Sequence, residues 1–375
     1  MKMKLDKARI ALAVALAASA TLVRAESLDG LMPDALLEQA KKEGKVTVYS
    51  FTSRIAKVEK AFEEAYPGID LQPYDISSTE QVSRLKAESK AGTINADVVY
   101  IADAPVVLAD LLAPGIIEAY VPPRVADRLD ESDKSPLLSQ RLSTKVLMYN
   151  EEANPNGSPV SNLWQLTTPE WKGRVVMVDP LQRGDYLDLM TEIVLQSDAM
   201  AAAYKAQFGK DIELGDAANA GERFITDLFA NDLILVKSTD DVNKAVGKKG
   251  QKNPPVGFTS YSDRRDNEEE GWALQVSKGT QPAIGITFPS VIALAKGAQH
   301  PAAARLVIDF LMGDDSEKGG AGFKPFYVAG DYATRKDIKP HPDAVPLAEL
   351  GAWRVNAEKT AAQRKAVGDF ILTLQ

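Results

Sequence analysis

The chain has 375 residues, no cysteine and a formal net charge of −8. This length favours two domains, and the absence of cysteine excludes disulfide bonds. An acidic chain is a poor match for nucleic acid or an anionic membrane, so neither is expected as a partner, although a pocket can still carry its own positive field.

The first 25 residues have the pattern of an export signal that is removed from the mature protein. Basic residues come first, an apolar run follows over residues 10–23, and cleavage is expected near Ala25. The apolar run is too short for a stable membrane anchor. We therefore expect a periplasmic protein, and one that is not lipid-anchored, because no cysteine is present to carry a lipid.

Helix and strand patterns alternate along the segment that follows the leader. The predicted elements are, in chain order, a helix over 31–43, a strand over 46–50, a helix over 55–66, a strand over 69–76, a helix from the Ser77-Ser78-Thr79 cap to residue 91, and a strand over 97–101. Such an alternation is typical of a parallel sheet covered by helices.

The alternation breaks twice, and each break is predicted to be a crossing between two lobes. The first is the apolar strand over 144–149, and the second is the extended segment over 284–290, which contains Pro289. Between the crossings we expect strands over 175–178, 233–236 and 256–259, with helices from residue 185 to residue 229. A helix over 300–312 then follows.

These breaks predict how the chain divides. Residues 1–25 form the leader, residues 26–143 together with 291–375 form the first lobe, and residues 144–290 form the second lobe with both crossing strands. Each lobe is long enough to bury its own core.

Residues 164–173 carry the most informative motif, with the sequence Trp-Gln-Leu-Thr-Thr-Pro-Glu-Trp-Lys-Gly. It resembles the Trp-x-x-Leu-x-x-Pro-x-Trp-Lys-Gly segment of bacterial periplasmic solute-binding proteins, with the first spacing shortened. A second resemblance lies over 296–311, where Lys-Gly-Ala and His-Pro-x-Ala-Ala precede a helix ending in Phe-Leu. Both stretches resemble in particular the group named for ferric-iron binding, whose members also carry phosphorylated sugars and phosphonates.

The resemblance implies an α/β fold of the type 2 periplasmic binding protein class. Each of its two lobes is then a mostly parallel sheet flanked by helices, and two crossings connect the lobes. The implied role is capture of a solute for an ABC permease in the inner membrane, and we expect a monomer. We expect no enzyme and no cofactor, since phosphate-loop and Gly-x-Ser-x-Gly motifs are absent and both histidines, His300 and His341, precede proline.

Ligands of open parallel sheets bind beyond the carboxyl ends of the strands, where helix N-termini present N–H groups. Polar side chains at these ends are therefore the expected ligand-binding residues. In the first lobe they are Ser50, Thr52, Ser53, Arg54, Ser77, Ser78, Thr79 and Asp103, and in the second Asp179, Gln182, Arg183, Tyr186, Lys237, Ser238, Thr239, Thr259, Ser260, Tyr261 and Arg264. Helix capping alone would also explain the serines and threonines, but together with the cations they suit an oxyanion.

The sequence leaves the ligand open within these limits. Iron-binding relatives present two adjacent tyrosines after the strand that matches 256–259, whereas this chain has Tyr261 alone between two serines, followed by Arg264 and Arg265. We therefore expect a small organic anion, namely a phosphorylated sugar, a phosphoglycerate-like acid or a phosphonate, and no metal. Ferric-iron transport and a sensing role beside a membrane histidine kinase are the alternatives.

Overall fold

The structure is a computed structural model that describes residues 28–375, so the predicted leader lies outside the described residues. Its strands are β1 (Lys45–Ser50), β2 (Asp70–Asp75), β3 (Val98–Ile101), β4 (Ile117–Glu118), β5 (Leu138–Asn150), β6 (Val175–Val178), β7 (Ile234–Val236), β8 (Val256–Thr259), β9 (Leu274–Val276), β10 (Gly285–Ala295), β11 (Tyr332–Ala333) and β12 (Trp353–Arg354). The strand predictions are met within a few residues, except that β5 begins six residues before the predicted 144 and β10 continues five residues beyond the predicted 290. The short strands β4, β9, β11 and β12 were not predicted, because two or three residues carry too little periodicity.

Helices cover the sheet between these strands. They are α1 (Pro33–Glu43), α2 (Ile55–Ala65), α3 (Ser78–Ala91), α4 (Ala104–Val106), α5 (Glu131–Lys134), α6 (Gly184–Leu195), α7 (Ser197–Phe208), α8 (Ala220–Ala230), α9 (Thr239–Gly247), α10 (Pro301–Leu311), α11 (Gly320–Phe323) and α12 (Ala357–Leu372). Other helical turns lie at Leu28–Gly30, Val107–Leu112, Ala126–Arg128, Leu163–Thr167, Pro169–Trp171, Tyr261–Asp266, Lys324–Phe326 and Leu347–Glu349. Among the described residues, no helix combines the length and the apolar character that crossing a membrane requires.

Local sequence sets the ends of these helices. Ser77 caps α3, because its hydroxyl accepts a hydrogen bond from the Glu80 N–H at 3.2 Å. The same helix ends at Gly92, whose φ of 75° is easily reached only without a Cβ. Pro301 opens α10, where its missing N–H costs nothing. Ser77 and Pro301 therefore lie at the helix starts that the sequence predicted.

The sheet consists of two parallel parts joined by two long antiparallel strands. Its main order is β2-β1-β3-β10-β5-β8-β6-β7. Strand β1 pairs in parallel with β2 and β3, and β6 pairs in parallel with β7 and β8. Strands β5 and β10 pair with each other in antiparallel register and connect the two parts. They contain the two predicted crossings.

The close approach of the crossing strands depends on a glycine. Gly285 begins β10 with a φ of 143°, and a Cβ built on it would lie 2.1 Å from the Lys145 carbonyl oxygen. No side chain fits at that separation. Gly285 therefore allows β10 to pair with β5 at the crossing.

The two tryptophans of the sequence motif lie in the core beside β6. Trp164 is fully buried, its indole N–H donates to the Met200 carbonyl at 2.8 Å, and its ring meets Tyr204 and Phe224 edge-on. Trp171 is also buried, with the Arg174 guanidinium 4.7 Å from its ring centroid. The motif thus fixes the turn that leads into β6.

The last helices contact both parts of the sheet. Helix α10 packs against α1 and also reaches β1 and β3. Helix α12, which was not predicted, packs against α6 and α4. The assignment of residues 291–375 to one lobe stays a prediction, and α12 makes contacts on both sides.

Candidate functional site

A cleft of about 810 Å³ opens at the carboxyl ends of the parallel strands. Six strand ends contribute to it, those of β1, β2 and β3 on one side and those of β6, β7 and β8 on the other. The predicted residues that line it are Thr52, Ser53, Arg54, Ser77, Ser78, Thr79, Asp103, Gln182, Arg183, Thr239 and Ser260. The rule for open parallel sheets thus brings side chains from distant parts of the sequence to one cavity.

Strand β5 adds a wall of the cleft that the sequence analysis missed. Arg141, Ser143 and Lys145 all line the cavity, since alternate residues of a strand share one face. The rule for strand ends does not reach these residues, because they lie inside a strand. The signal was present as Arg-x-Ser-x-Lys, a polar pattern with the period of a strand.

Two arginines at one end of this wall share a single buried carboxylate. Arg54 Nη1 lies 2.6 Å from Asp331 Oδ2, and Arg141 Nε lies 3.4 Å from the same oxygen. Burial acts to raise the pKa of Asp331, but the charges of Arg54 and Arg141 outweigh it and lower that pKa. Asp331 is therefore ionised at neutral pH, and the three side chains together carry one excess positive charge.

Arg141 is the more unusual of these two cations. Its side chain is 1% exposed, and among the described residues its Nε has no hydrogen-bond partner, because the contact with Asp331 lacks hydrogen-bond geometry. Its Nη1 donates to Gln140 Oε1 at 2.9 Å, and the guanidinium lies 4.5 Å from the ring centroid of Phe326, with Phe51 and Tyr100 also nearby. Burial lowers the pKa of Arg141 to about 9, so it remains charged at neutral pH.

A second pair of cations lies further along the wall and also shares one carboxylate. Asp185 Oδ2 lies 3.1 Å from Lys145 Nζ and 3.0 Å from Arg183 Nη2. Burial would raise the pKa of Asp185, but Lys145 and Arg183 hold it well below its usual range. This cluster therefore also carries one excess positive charge.

Three hydroxyl groups around the cleft accept hydrogen bonds from nearby N–H groups. The Ser78 hydroxyl accepts from the Ala102 N–H at 3.3 Å, and the Ser260 hydroxyl accepts from Lys145 Nζ at 2.7 Å. The Thr239 hydroxyl accepts from Arg183 Nη1 at 3.2 Å. Each hydroxyl has one proton, and a bonded N–H leaves that proton for another acceptor. Oriented donors of this kind suit an anion.

Asp103, a predicted ligand residue, is already engaged within the protein. The Arg364 guanidinium binds both of its carboxylate oxygens, one of them at 3.1 Å, and its Nε lies 3.5 Å from Asp188 Oδ1. Gly184 lies so close to Asp103 that a Cβ on this glycine would be 2.2 Å from Asp103 Oδ2. Asp103 thus belongs to an ion-pair network that links the loop after β3 with α6 and α12.

Other predicted residues lie outside the cleft, namely Ser50, Asp179, Tyr186, Lys237, Ser238 and Thr259. The buried hydroxyls of Tyr186 and Thr259 donate to a backbone carbonyl at 3.0 Å and a side-chain amide oxygen at 2.6 Å. Ser50 closes a turn after β1, and Ser238 caps α9. Capping and core packing, the simpler explanations for such residues, account for Ser50, Tyr186, Ser238 and Thr259.

Tyr261 and Arg264 face a separate cavity of about 540 Å³. The Tyr261 hydroxyl accepts from the Val345 N–H at 3.1 Å and donates to the Asp343 carbonyl at 3.3 Å. Arg264 donates to a backbone carbonyl at 3.2 Å, and it is the next residue, Arg265, that reaches the cleft.

Within residues 28–375, no cluster of three or more histidine, aspartate or glutamate side chains is placed to hold a metal ion.

The sequence profile of one protein family matches residues 46–318, which is most of the chain. The chain belongs to the bacterial extracellular solute-binding protein family. This membership confirms the predicted family and its binding role rather than an enzymatic one. No curated protein matches the chain.

Solved structures of periplasmic binding proteins share the fold of this solute-binding protein. Iron-bound HitA from Pseudomonas aeruginosa is 19% identical and superimposes with a TM-score of 0.67 over 87% of this chain and 98% of its own. AfuA from Actinobacillus pleuropneumoniae, with fructose-6-phosphate bound, is 17% identical with a TM-score of 0.66 over 88% and 98%. AgtB from A. tumefaciens R10, in complex with agropinic acid, is 17% identical with a TM-score of 0.62 over 88% and 98%. These similarities confirm the type 2 periplasmic binding protein fold.

Proposed function

We propose that this solute-binding protein captures a small organic anion in the cleft and delivers it to an ABC permease in the inner membrane. Solute-binding proteins of ABC importers work with such a permease, so the proposal concerns the ligand and its site. A phosphorylated sugar, a phosphoglycerate-like acid or a phosphonate is the ligand class that the cleft suits best.

The observation that carries this proposal is the sharing of Asp185 by Lys145 and Arg183. Two cations beside one carboxylate leave a positive charge uncompensated inside a cleft of an acidic protein. Lys145 is only 3% exposed, so water screens its charge poorly. An acidic group bound here would gain charge-assisted hydrogen bonds, each contributing roughly 1.5–3 kcal/mol.

The surrounding hydroxyls support the same ligand class. Ser260 and Thr239 stand beside the two cations and accept hydrogen bonds from them, so each hydroxyl can turn its proton towards an incoming acceptor. Ser78 offers a third such donor from the opposite side of the cleft. Among proteins of the same fold, AfuA holds a sugar phosphate and AgtB holds an organic acid, and both ligands would fit this chemistry.

Binding would close the cleft around the ligand. The cavity takes its lining from both parallel parts of the sheet, and these parts are joined by β5 and β10. A ligand that contacts both sides favours the closed form, and a permease can distinguish that form from the open one.

A ligand screen with a matched variant tests the proposal. Thermal-shift assays and calorimetry on the mature protein would use sugar phosphates, phosphoglycerate, phosphonates, neutral sugars and ferric salts, since a bound ligand raises Tm by mass action. We expect a phosphorylated or phosphonate anion to bind and Lys145→Met to weaken it by about tenfold or more. Lys237→Met is the control, because Lys237 is exposed and lies outside the cleft. Binding of neutral sugars alone, or equal affinity in both variants, would contradict the proposal.

A further inference from the structure

The wall formed by β5 holds two separate places where positive charge exceeds negative charge. Arg141 belongs to the cluster with Arg54 and Asp331, and Lys145 belongs to the cluster with Asp185. Lys145 is four positions after Arg141 on one strand, which places their Cα atoms about 13 Å apart. Both side chains lie on the cleft side of the strand, with Ser143 between them.

The Arg141 cluster is incomplete as a purely structural ion pair. A buried guanidinium is costly unless its N–H groups are bonded. Arg141 Nη1 donates to Gln140 Oε1 at 2.9 Å, but the buried Arg141 Nε has no hydrogen-bond partner within residues 28–375. Asp331 already accepts from Arg54 at 2.6 Å and from the Ser143 hydroxyl at 3.2 Å. An acidic group of a ligand would supply the counter-charge that Asp331 alone does not.

We infer that the ligand carries two acidic groups, one held by Lys145 and Arg183 and the other by Arg141 and Arg54. This inference rests on the proposed function and narrows it to compounds such as phosphorylated sugar acids, bisphosphates or phosphono-carboxylates. A compound with a single acidic group would leave one of the two clusters without its partner.

Other charges around the cleft are compatible with a ligand of this kind. The carboxylates at the mouth, Asp75, Glu80 and Asp240, are exposed, so water and salt screen them. Arg265 is paired with Asp263 at 3.0 Å and adds no excess charge. The two clusters on β5 are therefore where the ligand meets uncompensated positive charge.

Pairs of probes that differ by one acidic group test the inference. Glucitol 6-phosphate and 6-phosphogluconate share an open six-carbon chain, and glycerol 3-phosphate and 3-phosphoglycerate share a three-carbon one. Calorimetry should show that 6-phosphogluconate binds at least about tenfold more tightly than glucitol 6-phosphate. The shorter pair should show a smaller ratio, because its two acidic groups cannot span the two clusters.

Variants at Arg141 test whether this residue causes the tighter binding of the probe with two acidic groups. Arg141→Met should reduce the preference for 6-phosphogluconate to about twofold or less. Arg141→Gln removes the same charge but keeps a polar side chain in the buried site, so it provides the same test if Arg141→Met folds poorly. Lys237→Met, outside the cleft, should keep the full ratio.

The outcomes separate this inference from the proposed function. Equal affinity within both pairs, or a ratio that survives in both Arg141 variants, would overturn the inference while an anion-binding protein remains. Failure of every anion to bind, together with binding of a neutral solute, would overturn the proposed function and the inference with it.

Discussion

Arg364 in α12 forms a buried ion-pair network with Asp103 after β3 and Asp188 in α6. It binds both carboxylate oxygens of Asp103 and lies 3.5 Å from Asp188. The side chains are 11%, 5% and 0% exposed for Arg364, Asp103 and Asp188, respectively. Arg364→Leu would leave two buried carboxylates without their cation.

The expected loss follows from this burial. Removing one partner of a buried ion pair lowers the free energy of unfolding by about 3–5 kcal/mol. Burial already raises the pKa of Asp188 well above its usual range, and only the charge of Arg364 opposes that shift among the main causes. Without Arg364 the carboxyl can take up a proton, which limits the cost. We therefore expect a loss of about 3 kcal/mol for Arg364→Leu at neutral pH.

The loss should depend on pH in a definite direction. A carboxyl whose pKa is raised in the folded state binds a proton that the unfolded chain releases, so stability falls as pH rises from about 4 towards the raised folded pKa. Arg364→Leu raises the pKa of Asp188 further and extends this range. The difference from the wild type should therefore be smaller at acidic pH than at neutral pH.

Urea denaturation followed by circular dichroism measures these free energies. Lys365→Leu is the matched control, since Lys365 is the next residue, is 86% exposed and pairs with Asp369 on the helix surface. It should change stability by no more than about 0.5 kcal/mol. Adding Asp188→Asn to Arg364→Leu should restore part of the loss. A loss below about 1 kcal/mol for Arg364→Leu would refute the reasoning.

Other expected outcomes follow from the core and the crossing. Trp164→Ala should lower the free energy of unfolding by about 3–5 kcal/mol in urea denaturation, because it removes a fully buried indole and its hydrogen bond. Gly285→Ala should cost about 1–3 kcal/mol or more, since the new Cβ meets the Lys145 carbonyl. Ferric salt should produce no visible charge-transfer band, because the Tyr261 oxygen is already bonded. A band that Tyr261→Phe abolishes would contradict that expectation.

The sequence allowed much of the cleft to be predicted, because the rule for parallel sheets depends only on where strands end. Ser78, Thr239 and Ser260 follow strands recognisable from their apolar runs, and they line the cavity. The rule failed where a strand end turns inward, as at Thr259, whose hydroxyl is buried in the second lobe. It also chose Arg264 where the neighbouring Arg265 reaches the cleft, since a helical turn rotates successive side chains in different directions.

The sequence by itself determined the alternation of strands and helices, the two crossings and the family. These features depend on local periodicity and short motifs such as the one around Trp164, which are readable without long-range contacts. Only the tertiary structure decided how charges are shared, because Asp331 meets Arg54 and Arg141 across 277 and 190 residues of chain. The excess positive charge of the cleft is a property of that packing, and no local pattern encodes it.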